Sequence, residues 1–144
     1  MISLRRILAP VDFSDCSDKA VAYAAELADK LRAELTVLYV VPDLTLAMPD
    51  AVMPVPVATP DMDDLVKSAN ESLAKLIADK KMTATGVVRI GSAAAEIVDA
   101  AKDGKSDLIV IGTHGRGGLA HLLLGSVAEK VVRSAPCPVL TVRG

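Results

Sequence analysis

Two stretches of this chain, LTVLYVV at 35–41 and SDLIVIG at 106–112, are almost unbroken runs of aliphatic residues at the length of a strand. A strand with one wet face alternates apolar and polar residues, because successive side chains point to opposite faces. An unbroken run therefore implies cover on both faces, which is the situation of strands inside a parallel sheet flanked by helices. Between such runs lie segments with a helical stripe, such as Ala20, Ala24, Leu27 and Leu31 within 15–32.

The other elements fit this alternation. RRILAPV (5–11) predicts a first strand, ended by Asp12, with Ser14 or Asp15 capping the helix that follows. Residues 62–80 predict a helix, TATGVVRI (83–90) a strand, and 93–102 a helix capped by Ser92. After 106–112 come a helix from about Ser126 to Ser134 and a last strand, PVLTV (138–142). The expected fold is thus α/β: an open, mostly or wholly parallel five-stranded sheet with helices on both faces, Rossmann-like, with right-handed crossovers. Pro136 and Pro138 before the last strand suit an edge position, where an unpaired strand can meet a second copy of itself.

One segment interrupts the pattern. Residues 41–64 hold five of the eight prolines, a density that neither a helix nor a central strand tolerates. A proline-rich excursion at about 42–61 is expected, either lying on its own domain or serving as a lid or subunit contact. With 144 residues and no dividing linker or repeat, the chain reads as one domain, 1–144.

Composition excludes several function classes. A net charge of −2 and the lack of a basic run argue against a general nucleic-acid binder. No apolar run approaches the roughly 18 residues needed to span a bilayer, and the N-terminus lacks a signal-peptide pattern. The two cysteines, Cys16 and Cys137, form no C-x-x-C motif. A reduced, cytoplasmic protein is the expectation.

Chemistry concentrates in GTHGRGGLAHLLLGS (112–126), which holds five of the nine glycines. In open α/β sheets ligands sit beyond the carboxyl ends of strands, where strand order reverses. APVDFS after the first strand and GTHGRGG after the fourth would face each other there if those strands are neighbours. Ser126 and Glu129 form an S-x-x-E pattern, read as a capping box at a helix start. First-turn N–H groups make an anion seat. Gly112, Gly115 and Gly125 would let the backbone approach a phosphate, with His114 and Arg116 adding donors or charge.

Standard motifs fit poorly. GVVRIGS (86–92) has Walker A glycine spacing but no lysine. GRGGLA (115–120) satisfies G-x-G-x-x-A, but no acidic residue ends the next strand. His114 and His121 have no second ligand spaced to hold a metal.

The segment matches the pattern G-x2-G-x9-G-[ST] through Gly112, Gly115, Gly125 and Ser126. On that motif, and on ILAPVDFSDCSDKAVAYAAELA and GSVAEKVVRSAPCPVLTV, the chain resembles the ATP-binding branch of the universal stress protein family. The resemblance implies a cytoplasmic stress-response protein that binds ATP, ADP or AMP. It places adenine and ribose by Pro10, Val11, Asp12 and Val40. Ribose and phosphates then fall to the loop Ile111 to Arg116, with Ile111, Gly112, His114, Gly115 and Arg116 as contacts. The phosphates would meet Gly125, Ser126, Val127 and Ala128. It also implies Mg2+ or Mn2+ travelling with the nucleotide, and a homodimer through the last strand. A sensor or regulator is expected rather than an efficient catalyst, because neither loop contains a lysine for phosphoryl transfer. The alternatives are a slow ATP hydrolase or nucleotidyl transferase, and a protein-interaction module that acts without nucleotide.

Overall fold

The structure, a computed structural model, describes residues 2–43, 61–114 and 124–144. Five strands alternate with helices: β1 (Arg6–Val11), α1 (Asp15–Leu31), β2 (Glu34–Pro42), α2 (Met62–Asp79), β3 (Thr85–Gly91), α3 (Ala93–Asp103), β4 (Leu108–Gly112), α4 (Ser126–Ser134) and β5 (Val139–Val142). The strand order is β3-β2-β1-β4-β5, and every pairing is parallel. The expected sheet is therefore present, wholly parallel, with β5 at one edge. Of the excursion expected at about 42–61, Pro42 ends β2 and Asp61 caps α2, and residues 44–60 lie outside the described residues.

The pleat sorts side chains onto two faces. Ile7, Ala9 and Val11 of β1 point to one side with Leu35 and Val37 of β2, and pack under Val21, Ala24 and Ala28 of α1 and Leu73 of α2. Leu8, Leu38, Val40, Ile109 and Ile111 point to the other, under Ile97 and Ala101 of α3 and Ala128 and Val131 of α4. This two-sided burial is why the runs in β2 and β4 show no polar alternation; all five residues of β4 are buried. Small alanines on α1 let the helix lie close to the sheet, so a chain with only three aromatic residues still closes its core.

Local signals set the helix ends. Ser14 caps α1, its hydroxyl oxygen accepting from Ser17 N–H at 3.3 Å, and Arg32 closes the helix in the left-handed region with φ 54°. Asp61 caps α2 by accepting from Asp63 N–H at 3.1 Å. At the opposite end of the sheet, Asp107 clasps β1 to β4: one carboxylate oxygen accepts from Arg5 N–H at 2.9 Å and Arg6 N–H at 3.0 Å. Among the described residues no helix is long and apolar enough to cross a membrane.

Ile109 is fully buried on the central part of β4. Ile109→Ala is expected to cost about 2–5 kcal/mol of unfolding free energy. Ile2→Ala, at a position 89% exposed, should change it by less than about 0.5 kcal/mol. Urea titration of both variants checks the contrast.

Candidate functional site

Strand order reverses between β1 and β4, and the cause of an opening there is visible in β1. The Arg6 carbonyl accepts from Asp107 N–H at 2.8 Å, while the Arg5 carbonyl accepts from Glu34 N–H at 2.8 Å. Even-numbered residues of β1 thus aim their backbone groups at β4, and odd-numbered ones at β2. Pro10 is even-numbered and has no N–H to give. The β1–β4 register stops at Leu8↔Ile109, whereas β1 stays beside β2 as far as Val11↔Tyr39. The two strands part where the proline withholds its donor, and a cavity of about 260 Å³ lies there.

The cavity wall gathers residues from six elements and their loops. Pro10, Val11 and Asp12 come from the end of β1, and Val40 from β2. Ile111, Gly112 and His114 come from the end of β4 and the loop after it. Gly125, Ser126, Val127 and Ala128 come from the start of α4. Every residue named from the sequence as a nucleotide contact is thus placed on one cavity, except Gly115 and Arg116, which lie outside the described residues, as does His121. Sequence reasoning passed over Ser17, Leu38, Tyr39, Ala93, Ile97 and Thr113, which also line it. Most of these read as core from their apolarity. The helical stripe of Ala94, Ile97 and Ala101 was a usable signal for Ile97, since it fixes which face of α3 meets the sheet.

Asp12 is held by the loop after β1. Its Oδ1 accepts from Ser14 N–H at 3.0 Å and from the Ser14 hydroxyl, and its own N–H donates to Ser17 Oγ at 3.3 Å. Ser14 therefore serves Asp12 and the α1 cap together. Phe13 between them sits at φ 62°, a left-handed conformation that costs a non-glycine residue about 1–3 kcal/mol. Its ring packs on Tyr39, with centroids 5.0 Å apart, which helps to hold the loop against that cost.

The start of α4 differs from the sequence expectation. Gly125, not Ser126, is the N-cap; Ser126 is the first helical residue, and no side chain caps the helix among the described residues. The S-x-x-E pattern is therefore not a capping box. Glu129 turns the other way and pairs with Arg133 at 2.7 Å, one helical turn on. With no capping side chain among the described residues, first-turn N–H groups of α4 stand as donors at the cavity wall. The α3 start has a similar form: Ser92 is the N-cap but makes no side-chain cap bond, and Glu96 is taken by Arg89 at 2.7 Å. That bond, joined by Asp103 at 3.2 Å, raises the Arg89 pKa, with burial opposing it. So the first-turn carboxylates of α3 and α4 are each drawn onto an arginine, while those of α1 and α2 (Asp15, Asp18, Asp63 and Asp64) remain at their helix starts.

The glycines have a further role than approach by a ligand. A Cβ at Gly112 would lie 2.9 Å from Cys16 Sγ and 3.1 Å from the Cys16 carbonyl oxygen, so glycine lets α1 press on the end of β4. A Cβ at Gly125 would lie 2.8 Å from the Thr113 carbonyl oxygen, the same oxygen that accepts Gly125 N–H at 2.6 Å. Both remove side-chain bulk from internal contacts that shape the cavity. Cys137 lies across the molecule among the α3–α4 core residues, and burial pushes its thiol pKa up.

An open, all-parallel α/β sheet with a cavity at its switch point and a helix start on the wall defines an α/β protein of the doubly wound class. The profile of the universal stress protein family matches residues 3–143, and the chain belongs to that family. Universal stress protein MJ0531 of Methanocaldococcus jannaschii is 38% identical over 145 residues, covering 96% of this chain and 82% of the relative. The solved structure of MJ0577, at 25% identity, superposes with a TM-score of 0.79 over 99% of this chain and 98% of its own. A universal stress protein solved in complex with cAMP, at 23% identity, shares the fold with a TM-score of 0.73 over 97% of each chain.

Two substitutions probe this geometry. Pro10→Ala restores an N–H facing β4; the β1–β4 ladder should lengthen by one bond, seen as slow hydrogen exchange at residue 10, and the cavity should narrow. Gly112→Ala should cost about 1–3 kcal/mol through overpacking, and Cys16→Ala in the same chain should recover part of it by removing Sγ. Chemical denaturation of the single and double variants measures the recovery.

Proposed function

We propose that the cavity binds an adenine nucleotide (ATP, ADP or AMP) and that the protein works as a nucleotide-linked sensor or regulator of a stress response. The observation that carries this reading is the pairing of two chemistries on one wall. The α4 start offers N–H donors that no described side chain caps, and it suits phosphate. Away from it, Leu38, Val40 and Ile97 form an apolar surface beside Asp12, which suits a base and a ribose that needs an acceptor. Pro10, Val11, Asp12 and Val40 take the nucleoside. Ile111, Gly112 and His114, continued by Gly115 and Arg116, take ribose and phosphate, and Gly125 to Ala128 take phosphate. The relative solved with cAMP holds an adenine nucleotide in the same fold, which supports the class of ligand.

A divalent ion, Mg2+ or Mn2+, enters with the nucleotide on its phosphate oxygens; among the described residues no cluster of three or more His, Cys, Asp or Glu side chains would hold one alone. Phosphoryl transfer needs charge stabilisation at the reacting phosphate and a positioned nucleophile. Among the described residues Asp12, Tyr39 and His114 are the titratable side chains on the wall, so at most slow hydrolysis is proposed. The whole chain acts as one domain in the cytoplasm, and a homodimer forms along β5, whose outer edge has no partner strand in the sheet order.

Calorimetry with ATP, ADP and AMP tests the proposal. Binding should be seen at or below millimolar ligand, and Ser126→Asp, which sets a carboxylate at the start of α4 on the cavity wall, should abolish it while circular dichroism stays native. Wild-type affinity in that variant would place the ligand elsewhere. Phosphate release above background that disappears in His114→Ala would instead favour the slow hydrolase.

A further inference from the structure

We infer that Thr113 is a positioning residue: its hydroxyl holds the His114 ring in the Nε2–H tautomer, so that the ring presents a hydrogen-bond donor at the cavity wall. The inference rests on the reading of the cavity as a nucleotide site for its ligand, but not for its chemistry. Thr113 is only 2% exposed. Both of its backbone groups are used: its N–H donates to the Val142 carbonyl at 3.0 Å, and its carbonyl accepts from Gly125 N–H at 2.6 Å. The main chain at 113 is thus pinned to β5 on one side and to the α4 start on the other. A β-branched side chain on a pinned backbone has little rotamer freedom. Its Oγ1 is therefore a fixed point, and it lies 2.9 Å from His114 Nδ1.

The proton arrangement follows from the hydroxyl. A buried hydroxyl that keeps its proton unpaired loses free energy. Among the described residues, His114 Nδ1 is the partner of Thr113 Oγ1. If Nδ1 carried the proton, the threonine O–H would need a second acceptor. If the threonine donates, both atoms are satisfied at once, Nδ1 is the acceptor, and the ring proton sits on Nε2. Nε2 lies across the ring from Thr113, and His114 lines the cavity between the β1 loop and the α4 start. An N–H donor there complements the α4 amides and suits an anionic oxygen, such as a nucleotide phosphate. Valine at 113 keeps the shape and removes the donor; serine keeps the donor.

The experiment uses the full chain with 15N-labelled histidine, and His121→Gln assigns the two rings. Long-range 1H–15N correlation spectra at neutral pH report the tautomer directly. Wild type and Thr113→Ser should show Nε2–H, and Thr113→Val should show a mixture or the Nδ1–H form. Calorimetry with ATP should give a dissociation constant about tenfold weaker for Thr113→Val, as for loss of one bond to a charged group, and near wild type for Thr113→Ser. A Thr113→Val ring that stays Nε2–H overturns the inference, and so does a shifted tautomer with unchanged ATP affinity. If the wild type binds no adenine nucleotide, the proposed function falls, while the tautomer spectra still decide whether Thr113 sets the ring.

Discussion

The site depends on a hydrogen bond that is never made. Parallel strands stay together through evenly spaced N–H to carbonyl bonds, and a proline in a central strand breaks that series on one side only. Pro10 faces β4, so β1 keeps its full pairing with β2 and releases β4 after Leu8. The gap opens where the chain reverses its direction of growth across the sheet. Sheet order and a missing donor therefore agree on one place, and the surrounding loops inherit it as their meeting point.

Around that gap, backbone links do most of the positioning. Thr113 is joined to Val142 and to Gly125, so the end of the edge strand and the beginning of α4 are registered through one residue. Glycines at 112 and 125 remove the bulk that would keep these segments apart. The Asp12–Ser14–Ser17 bonds do the same for the opposite lip.

Much of this was legible in the sequence, for definite reasons. Unbroken aliphatic runs in β2 and β4 reported two-sided burial, and the helical stripes between them reported the layers. The placement of β1 next to β4 was a condition, not a deduction, because neighbourhood across a sheet has no local signal. The capping-box reading failed because S-x-x-E looks the same whether serine precedes the helix or begins it; Arg133, four residues beyond Glu129, was the competing partner. The role of the glycines was half visible. Their number announced close approach, but not that Cys16 and the Thr113 carbonyl are what approaches. Thr113 escaped notice because a threonine after a strand looks like any other, until its burial is known.

Phe13 shows what this economy of side chains leaves behind. Glycine would adopt φ 62° without strain, yet it would carry no ring to lay on Tyr39. The loop that presents Asp12 is thus bent like a sprung latch, its torsion held shut by an aromatic catch. A latch of that kind resists small displacements and gives way all at once, so the first lip of the cavity should open as a unit instead of fraying residue by residue.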